Sequence, residues 1–247
     1  MWQAMLWGGI SGSAVLLGAL SALHFTIQKK VVGYIMAFGT GVLMGAAAYE
    51  LLGSSAEKGG IWPAAGGFLL GAVVYTLFEL LLSRRGGTRR KRTNQNHASA
   101  EAARAAGLAI FAGTLMDAIP ESVMIGVSTK QDGVSWLLVV AIFLSNFPEG
   151  LSSTLGLRKS GYSRERILWM WGAVMAGAVV SSWFGYYFQS FMSEQTLAAI
   201  AAFAGGGVIA MLATTMLPEA YEDGGPPTGL IAASGLLVSM LLDQLGR

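Results

Sequence analysis

Two short motifs place carboxylates in the middle of long apolar stretches: Asp117-Ala-Ile-Pro-Glu121 and Ser145-Asn-Phe-Pro-Glu149. On a helix, the acids of the first motif are spaced i and i+4, and the amide and acid of the second are spaced i and i+3. Each pair therefore lies on one helix face. Carboxylate and amide oxygens bind hard divalent cations. The motifs thus predict a metal-ion site formed by Asp117, Glu121, Asn146, Glu149 and Ser145.

The energy of burying these acids favours a functional role. A charged side chain at the centre of a membrane helix costs on the order of 2.5–3.5 kcal/mol, so three acids would cost about 8–10 kcal/mol if nothing offset the charge. A divalent cation would offset it. Two alternatives use the same residues: the acids could be protonated or hydrogen-bonded between helices to Ser122, Ser145 and Asn146, or they could relay protons.

Each motif also contains a proline, Pro120 or Pro148, which lacks the N–H that a helix would use. The carbonyls of Met116 and Leu144, one turn earlier, are thereby freed, and the helix bends. Within hydrocarbon a freed carbonyl needs a partner. We predict that a bound cation or its water supplies that partner.

The composition of the 247-residue chain is typical of a polytopic membrane protein. Hydrophobic residues make up 53% of it and charged residues 12%, and the mean hydropathy is +0.55, which is too apolar for an ordinary soluble domain. The lack of cysteine excludes disulfides, thiolate metal sites and thiol catalysis. Because no His-Glu-x-x-His or Gly-x-Ser-x-Gly motif is present, we predict that the protein is not an enzyme and uses no cofactor.

Eight mostly apolar spans are long enough to cross about 30 Å of hydrocarbon as helices. They lie at 5–25, 31–52, 61–82, 107–127, 134–157, 167–192, 196–219 and 229–245. We therefore predict an all-α integral membrane protein in which residues 1–247 form a single transmembrane domain. The basic stretch 83–106 is predicted to be a disordered loop that faces anionic lipid rather than nucleic acid.

The basic residues indicate an orientation. Most of the 16 lysines and arginines fall in the connections after spans 1, 3 and 5, which all lie on one side of the membrane. By the positive-inside rule that side is cytoplasmic. We interpret the chain as a multi-pass protein of the cell membrane, with both termini extracytoplasmic and the basic loop 83–106 in the cytoplasm.

An internal repeat relates the first three spans to the last three. The aligned pairs include Phe38 with Phe203, Gly41 with Gly206, Ala48 with Ala213, Glu57 with Glu222, and Glu79 with Asp243. Because span 1 would run inward and span 6 outward, the two triplets would be inverted, as in transporters that hold substrate near the midplane. We predict a 3+2+3 arrangement, with inverted-repeat triplets around two central helices.

The segment Asn146-Phe-Pro-Glu149-Gly150 resembles the His-Asn-x-Pro-Glu-Gly motif of the ZIP (Zrt/Irt-like) family of divalent-metal transporters, in its small bacterial branch. Asp117-Ala-Ile-Pro-Glu121-Ser122 matches the Pro and Glu of the family's span 4 motif, and Met216-Leu-Pro-Glu219-Ala220 resembles the end of its span 7. The resemblance covers nearly the whole chain. It implies eight spans, outside termini, inverted triplets and divalent-metal transport.

The chain departs from the family pattern at the motif histidines. Asp117 stands where the family often has a histidine in span 4, and Ser145 replaces the histidine of span 5. The two histidines of the chain, His24 and His97, lie outside the central spans. A donor set made only of oxygen suits Mn²⁺, Fe²⁺ or Mg²⁺ better than a nitrogen-rich set would.

We therefore expect uptake of a divalent metal cation (zinc, manganese or iron) by alternating access, with the triplets rocking about spans 4 and 5. Glu50, Glu219 and Glu222 are predicted near the cytoplasmic ends of spans 2 and 7, either as an exit relay or as solvated acids at helix ends. The expected partners are the metal ion and the lipid bilayer, without nucleic acid, and a homodimer is left open. The alternative function is a non-transporting metal sensor or scaffold paralogue of the same fold.

Overall fold

A computed structural model describes residues 1–84, 100–131 and 133–246, and these are almost entirely helical. They form ten α-helices: Trp2–His24 (α1), Lys29–Ala46 (α2), Ser54–Gly59 (α3), Ile61–Arg84 (α4), Ala100–Gln131 (α5), Trp136–Lys159 (α6), Arg164–Phe188 (α7), Glu194–Met211 (α8), Leu217–Gly224 (α9) and Thr228–Gly246 (α10). Two π-helical segments, Ala47–Gly53 and Leu212–Met216, follow α2 and α8, and a 3-10 turn, Gln189–Phe191, follows α7.

Within the described ranges, eight helical stretches are long and apolar enough to cross a membrane. The second stretch, Lys29–Gly59, combines α2, its π-helical segment and α3, and the seventh, Glu194–Gly224, combines the corresponding elements from α8 to α9. The prediction of an all-helical protein with eight helices of membrane length is thereby confirmed.

The predicted loop 83–106 is wrong at both of its ends. Helix α4 continues to Arg84, and α5 begins at Ala100, well before the predicted start of the fourth span at 107. The sequence Ala-Glu-Ala-Ala-Arg-Ala-Ala at the start of α5 is rich in strong helix formers, which explains the longer helix. The predicted disorder falls mainly on 85–99, which lie outside the described residues.

Helices α2 and α10 touch through their backbones. A Cβ atom added to Gly41 would overlap the carbonyl oxygen of Ala232, and one added to Gly235 would overlap the carbonyl oxygen of Phe38. Glycine is therefore required at both positions, because it lets the two helix axes approach closely.

Helices α4 and α8 pack in the same way. A Cβ atom on Gly206 would overlap the carbonyl oxygen of Phe68, and one on Gly71 would overlap that of Phe203. The predicted repeat aligns Gly206 with Gly41. The repeat also pairs Glu79 with Asp243. Counting back eight residues from each member of that pair aligns Gly71 with Gly235. The same pair of contacts thus occurs twice, at aligned residues.

Two further features recur at aligned positions. The π-helical segments begin at Ala47 and at Leu212, which the repeat places opposite each other. Gly60 and Gly225, with φ angles of 90° and 73°, end the short helices α3 and α9. Both positive φ angles are in the region that favours glycine.

The bundle has two distinct ends. At one end, the start of α2 at Lys29 lies beside the end of α9. A Cβ atom added to Gly33 of α2 would lie 2.6 Å from the amide nitrogen of Gly224 in α9. We call this the basic end; α2, α5 and α7 start there. At the opposite end α3 meets the start of α8, since Gly59 packs directly on Ala198.

Burial differs sharply among the eight stretches. In α6, 72% of the apolar window is buried inside the protein, against 17% in α4 and 17% in α10. The exposed side chains of α4 and α10 are apolar, for example Leu69 and Leu237, as expected of surfaces that contact lipid. The two helices that carry the acid motifs, α5 and α6, are instead enclosed by their neighbours.

Candidate functional site

The acids of the two motifs lie on α5 and α6, and both helices continue through their prolines. Glu121, Asn146 and Glu149 are buried, with 3%, 3% and 6% of their surfaces exposed. Their side chains therefore face protein rather than lipid. Asp117 is half-buried.

One hydrogen bond joins α5 to α6 beside these acids. Thr114 Oγ1 donates to Glu149 Oε1 at 2.8 Å, and Thr114 is only 1% exposed. Thr114 lies three residues before Asp117 and seven before Glu121, so all three belong to one face of α5. The bond therefore brings the acid-bearing faces of the two helices together.

The carboxylate of Glu121 is buried without a hydrogen bond. Asp117 and Glu149 lie close enough to interact with it electrostatically, and the Asn146 amide lies near enough to approach it as a hydrogen-bond donor. Even so, no atom of the described residues meets hydrogen-bond geometry with either oxygen of Glu121. Burying an ionised carboxylate without a partner costs several kcal/mol. A cation would offset the charge of these acids, so the chemistry of the side chains is compatible with a metal ion.

The acids do not form a complete ligand shell in this conformation. Among the residues that the structure describes, no three His, Cys, Asp or Glu side chains are close enough together to hold a metal ion. Asp117 and Glu121 are one helical turn apart, which corresponds to about 5–6 Å between Cβ atoms. A change of rotamer at either residue can therefore bring their oxygens closer to a shared ion.

Asp117 and Glu121 both line a cavity between α4, α5 and α8, which we call the acid cavity. Its volume is about 70 Å³, and most of its other lining side chains are apolar, including Val208 and Met211. A cavity of roughly 10–15 Å³ suffices for one water molecule. The acid cavity therefore has room for a cation with part of its hydration shell.

Helix α2 packs on the backbone around Ser145. The Ser145 hydroxyl donates to the carbonyl of Ile142 in its own helix at 3.0 Å. A Cβ on Gly39 would overlap the carbonyl oxygen of Leu144. In this conformation α2 lies against this carbonyl, and binding of a cation or its water there stays a prediction. The close approach is possible because Gly39 of α2 has no side chain that would hold the two helices apart.

The structure separates Glu50 from the other two residues of the predicted exit relay. Glu219 and Glu222 lie on α9, toward the basic end, where Ser152 of α6 donates a hydrogen bond to Glu219 Oε1. Glu50 follows α2 and lines a cavity at the opposite end, beside Glu194. Because α2 starts at the basic end, a residue beyond its far terminus cannot share a membrane side with α9.

The two histidines of the chain are not found beside Glu121 among the described residues, and the all-oxygen ligand set stays a prediction. His24 is exposed at the end of α1, where its ring nitrogen Nδ1 lies 2.9 Å from the carbonyl oxygen of Leu20. His97 lies outside the described residues. Comparison with known proteins adds no assignment, since no protein-family model matches this chain and no curated protein matches it.

Thr114 was not among the predicted site residues. Its spacing from Asp117 and Glu121 signals a shared helix face, but a threonine in an apolar span can equally bond to its own backbone, as Thr129 does to Ile125. Only the contact across to Glu149 reveals its place in the site.

We expect Thr114→Val to weaken the site without unfolding the bundle. Valine keeps the shape of threonine but leaves Glu149 without its donor. A hydrogen bond to a charged group contributes about 1.5–3 kcal/mol, so apparent metal affinity should fall about tenfold to 100-fold. Titration of purified protein by calorimetry measures this change.

The matched variant is Thr114→Ser, which keeps the hydroxyl and should bind metal nearly as tightly as the wild type. Circular dichroism checks that both variants remain helical. If Thr114→Val bound metal with wild-type affinity, the hydroxyl would have no part in positioning Glu149.

Proposed function

We propose that this protein is a transporter of divalent metal cations in the cell membrane, as its resemblance to the ZIP family implies. The observation that carries the proposal is the Glu121 carboxylate, which is buried beside two further acids and for which no described residue, the neighbouring Asn146 amide included, meets hydrogen-bond geometry. Such a group is expensive unless a positive charge accompanies it. A cation passing through the bundle supplies that charge.

The proposed architecture is 3+2+3, with inverted triplets around the central helices α5 and α6. The paired glycine contacts support it: α2 with α10 and α8 with α4 touch at residues that the repeat aligns. The matched π-helical segments after α2 and α8 support it as well. In such an arrangement the two triplets can rock about the central pair and expose the site to each side in turn.

The proposed orientation places the basic end in the cytoplasm and both termini outside, in accordance with the positive-inside rule. An inside-negative potential of 100 mV contributes about 2.3 kcal/mol per elementary charge. A divalent cation moving inward would therefore gain about 4.6 kcal/mol. Uptake would need no other source of energy.

Metal-dependent uptake by proteoliposomes tests the proposal. Purified protein should accelerate uptake of labelled Mn²⁺ at least tenfold over empty liposomes when an inside-negative potential is imposed. Competition with Zn²⁺, Fe²⁺, Mg²⁺ and Cd²⁺ then ranks the substrates, and the oxygen donors favour Mn²⁺ and Fe²⁺ over Zn²⁺. Rates equal to those of empty liposomes for every ion would exclude transport.

A metal sensor or scaffold of the same fold is the second candidate. It is favoured by the finding that, within the described residues, no three His, Cys, Asp or Glu side chains converge on one point. Calorimetric titration separates the candidates. A sensor would bind metal without flux, and a scaffold would show neither binding nor flux.

A further inference from the structure

A second cavity opens at the opposite end of the bundle. Its volume is about 350 Å³, and we call it the outer cavity. Near the end of the bundle it is lined by Glu50, Ser54, Lys58 and Glu194, and deeper by Met124 and Ala201. Two acids, a hydroxyl and one lysine thus surround its mouth, which leaves a net negative charge there, and apolar side chains lie deeper.

The outer cavity and the acid cavity follow each other along α5. Ser128 and Met124 line the outer cavity, whereas Glu121 and Asp117 line the acid cavity. These residues are spaced by three or four positions, so they lie along one face of the helix. Met124 is three residues from Glu121, a rise of about 4.5 Å.

Helix α8 shows the same order. Ala198 and Ala201 line the outer cavity, and Ala204 and Val208 line the acid cavity. The two cavities therefore lie end to end along the seam between α5 and α8. Met124, which lines the outer cavity and is 5% exposed, stands between Ser128 and Glu121 on this face of α5.

We propose that the seam between α5 and α8 is the route by which the cation reaches the acids from the opposite end, and that Met124 is the barrier in it. This inference rests on the proposed function. Methionine suits such a place because its unbranched side chain has several rotatable bonds and can move aside. An apolar side chain at the floor also excludes water and ions until it moves.

Cysteine labelling tests the route, because the chain has no native cysteine to give a background signal. In intact cells, Ser128→Cys should react with a membrane-impermeant maleimide from the same side as Trp62→Cys, which is exposed at the opposite end. Lys159→Cys, exposed at the basic end, should react only from the other side. If Ser128→Cys did not react while Trp62→Cys did, the outer cavity would not be an open route.

Flux tests the barrier. Met124→Trp should lower proteoliposome uptake of Mn²⁺ at least tenfold, because the larger ring closes the seam, whereas Met240→Trp, on the exposed face of α10, should not change it. Labelling of Ser128→Cys should persist in the Met124→Trp background, which shows that the bundle still folds. Wild-type uptake by Met124→Trp would overturn the assignment of Met124.

The two measurements separate this inference from the proposed function. If the wild type carried no metal, the proposed function would fail whatever the labelling showed. If the wild type carried metal but Ser128→Cys stayed unlabelled, only the route would fail.

Discussion

Glu121→Gln is expected to lower metal-dependent uptake at least 100-fold. Glutamine keeps the size of the side chain and removes its charge. Removing one partner from a buried charged cluster costs on the order of 3–5 kcal/mol, which is a factor of about 100 or more in affinity. Initial rates of uptake by proteoliposomes at low metal concentration measure the effect.

The same substitution should not destabilise the metal-free protein. The two oxygens of Glu121 have no hydrogen-bond partner among the described residues, and a neutral amide is less costly to bury than a carboxylate. The melting temperature of Glu121→Gln should therefore equal or exceed that of the wild type. A residue kept for packing would show the reverse, with lower stability and unchanged transport.

The matched control is Glu165→Gln at the exposed start of α7. It makes the same chemical change far from the acid cavity, so uptake should stay within about twofold of the wild type, as expected for a surface charge. Full uptake by Glu121→Gln would remove this residue from the site.

The second large effect is expected at the contact between α4 and α8. Gly71→Ala would drive a Cβ atom into the carbonyl oxygen of Phe203. A backbone oxygen cannot move aside by changing rotamer, so the two helices must separate. Overpacking of this kind costs about 1–3 kcal/mol, which for a protein of this size lowers the melting temperature by roughly 2–12 °C. Thermal unfolding followed by circular dichroism in detergent measures the shift.

Gly66→Ala provides the control on the same helix, because a Cβ there would meet no described atom within 4 Å. Its melting temperature should be unchanged or slightly higher, since alanine favours helix over glycine. Equal effects at Gly66 and Gly71 would show that helix propensity, and not the close contact, governs stability here.

A third substitution, Gly235→Ala, tests whether the internal repeat determines the helix packing. Gly235 occupies the aligned position in the contact between α2 and α10, where Gly235→Ala would meet the carbonyl oxygen of Phe38. If the repeat determines the packing, Gly71→Ala and Gly235→Ala should lower the melting temperature by similar amounts. We expect equal shifts in melting temperature because the two proposed triplets would pack through the same pair of glycine contacts.

The amino-acid sequence alone was enough to predict eight membrane-length helices and to place acids on the fourth and fifth. Hydropathy is a sum over neighbouring residues, so a short window of sequence contains all the information needed to recognise a membrane-length helix. The spacing of Asp117 from Glu121 likewise determines a shared face on any helix. The overlooked first turns of α5 show the limit of hydropathy, because they are helical without being apolar.

Only the tertiary structure decided how those faces meet. The rotation and depth of one helix against another depend on contacts between segments far apart in the chain, such as Gly39 with Leu144. Those contacts give Glu149 its hydrogen bond from Thr114 and leave Glu121 without one. They also put Glu50 at the end of the bundle away from Glu219, and they place two cavities one after the other along α5 and α8. No local pattern contains this information, because each arrangement arises when surfaces from different helices pack together.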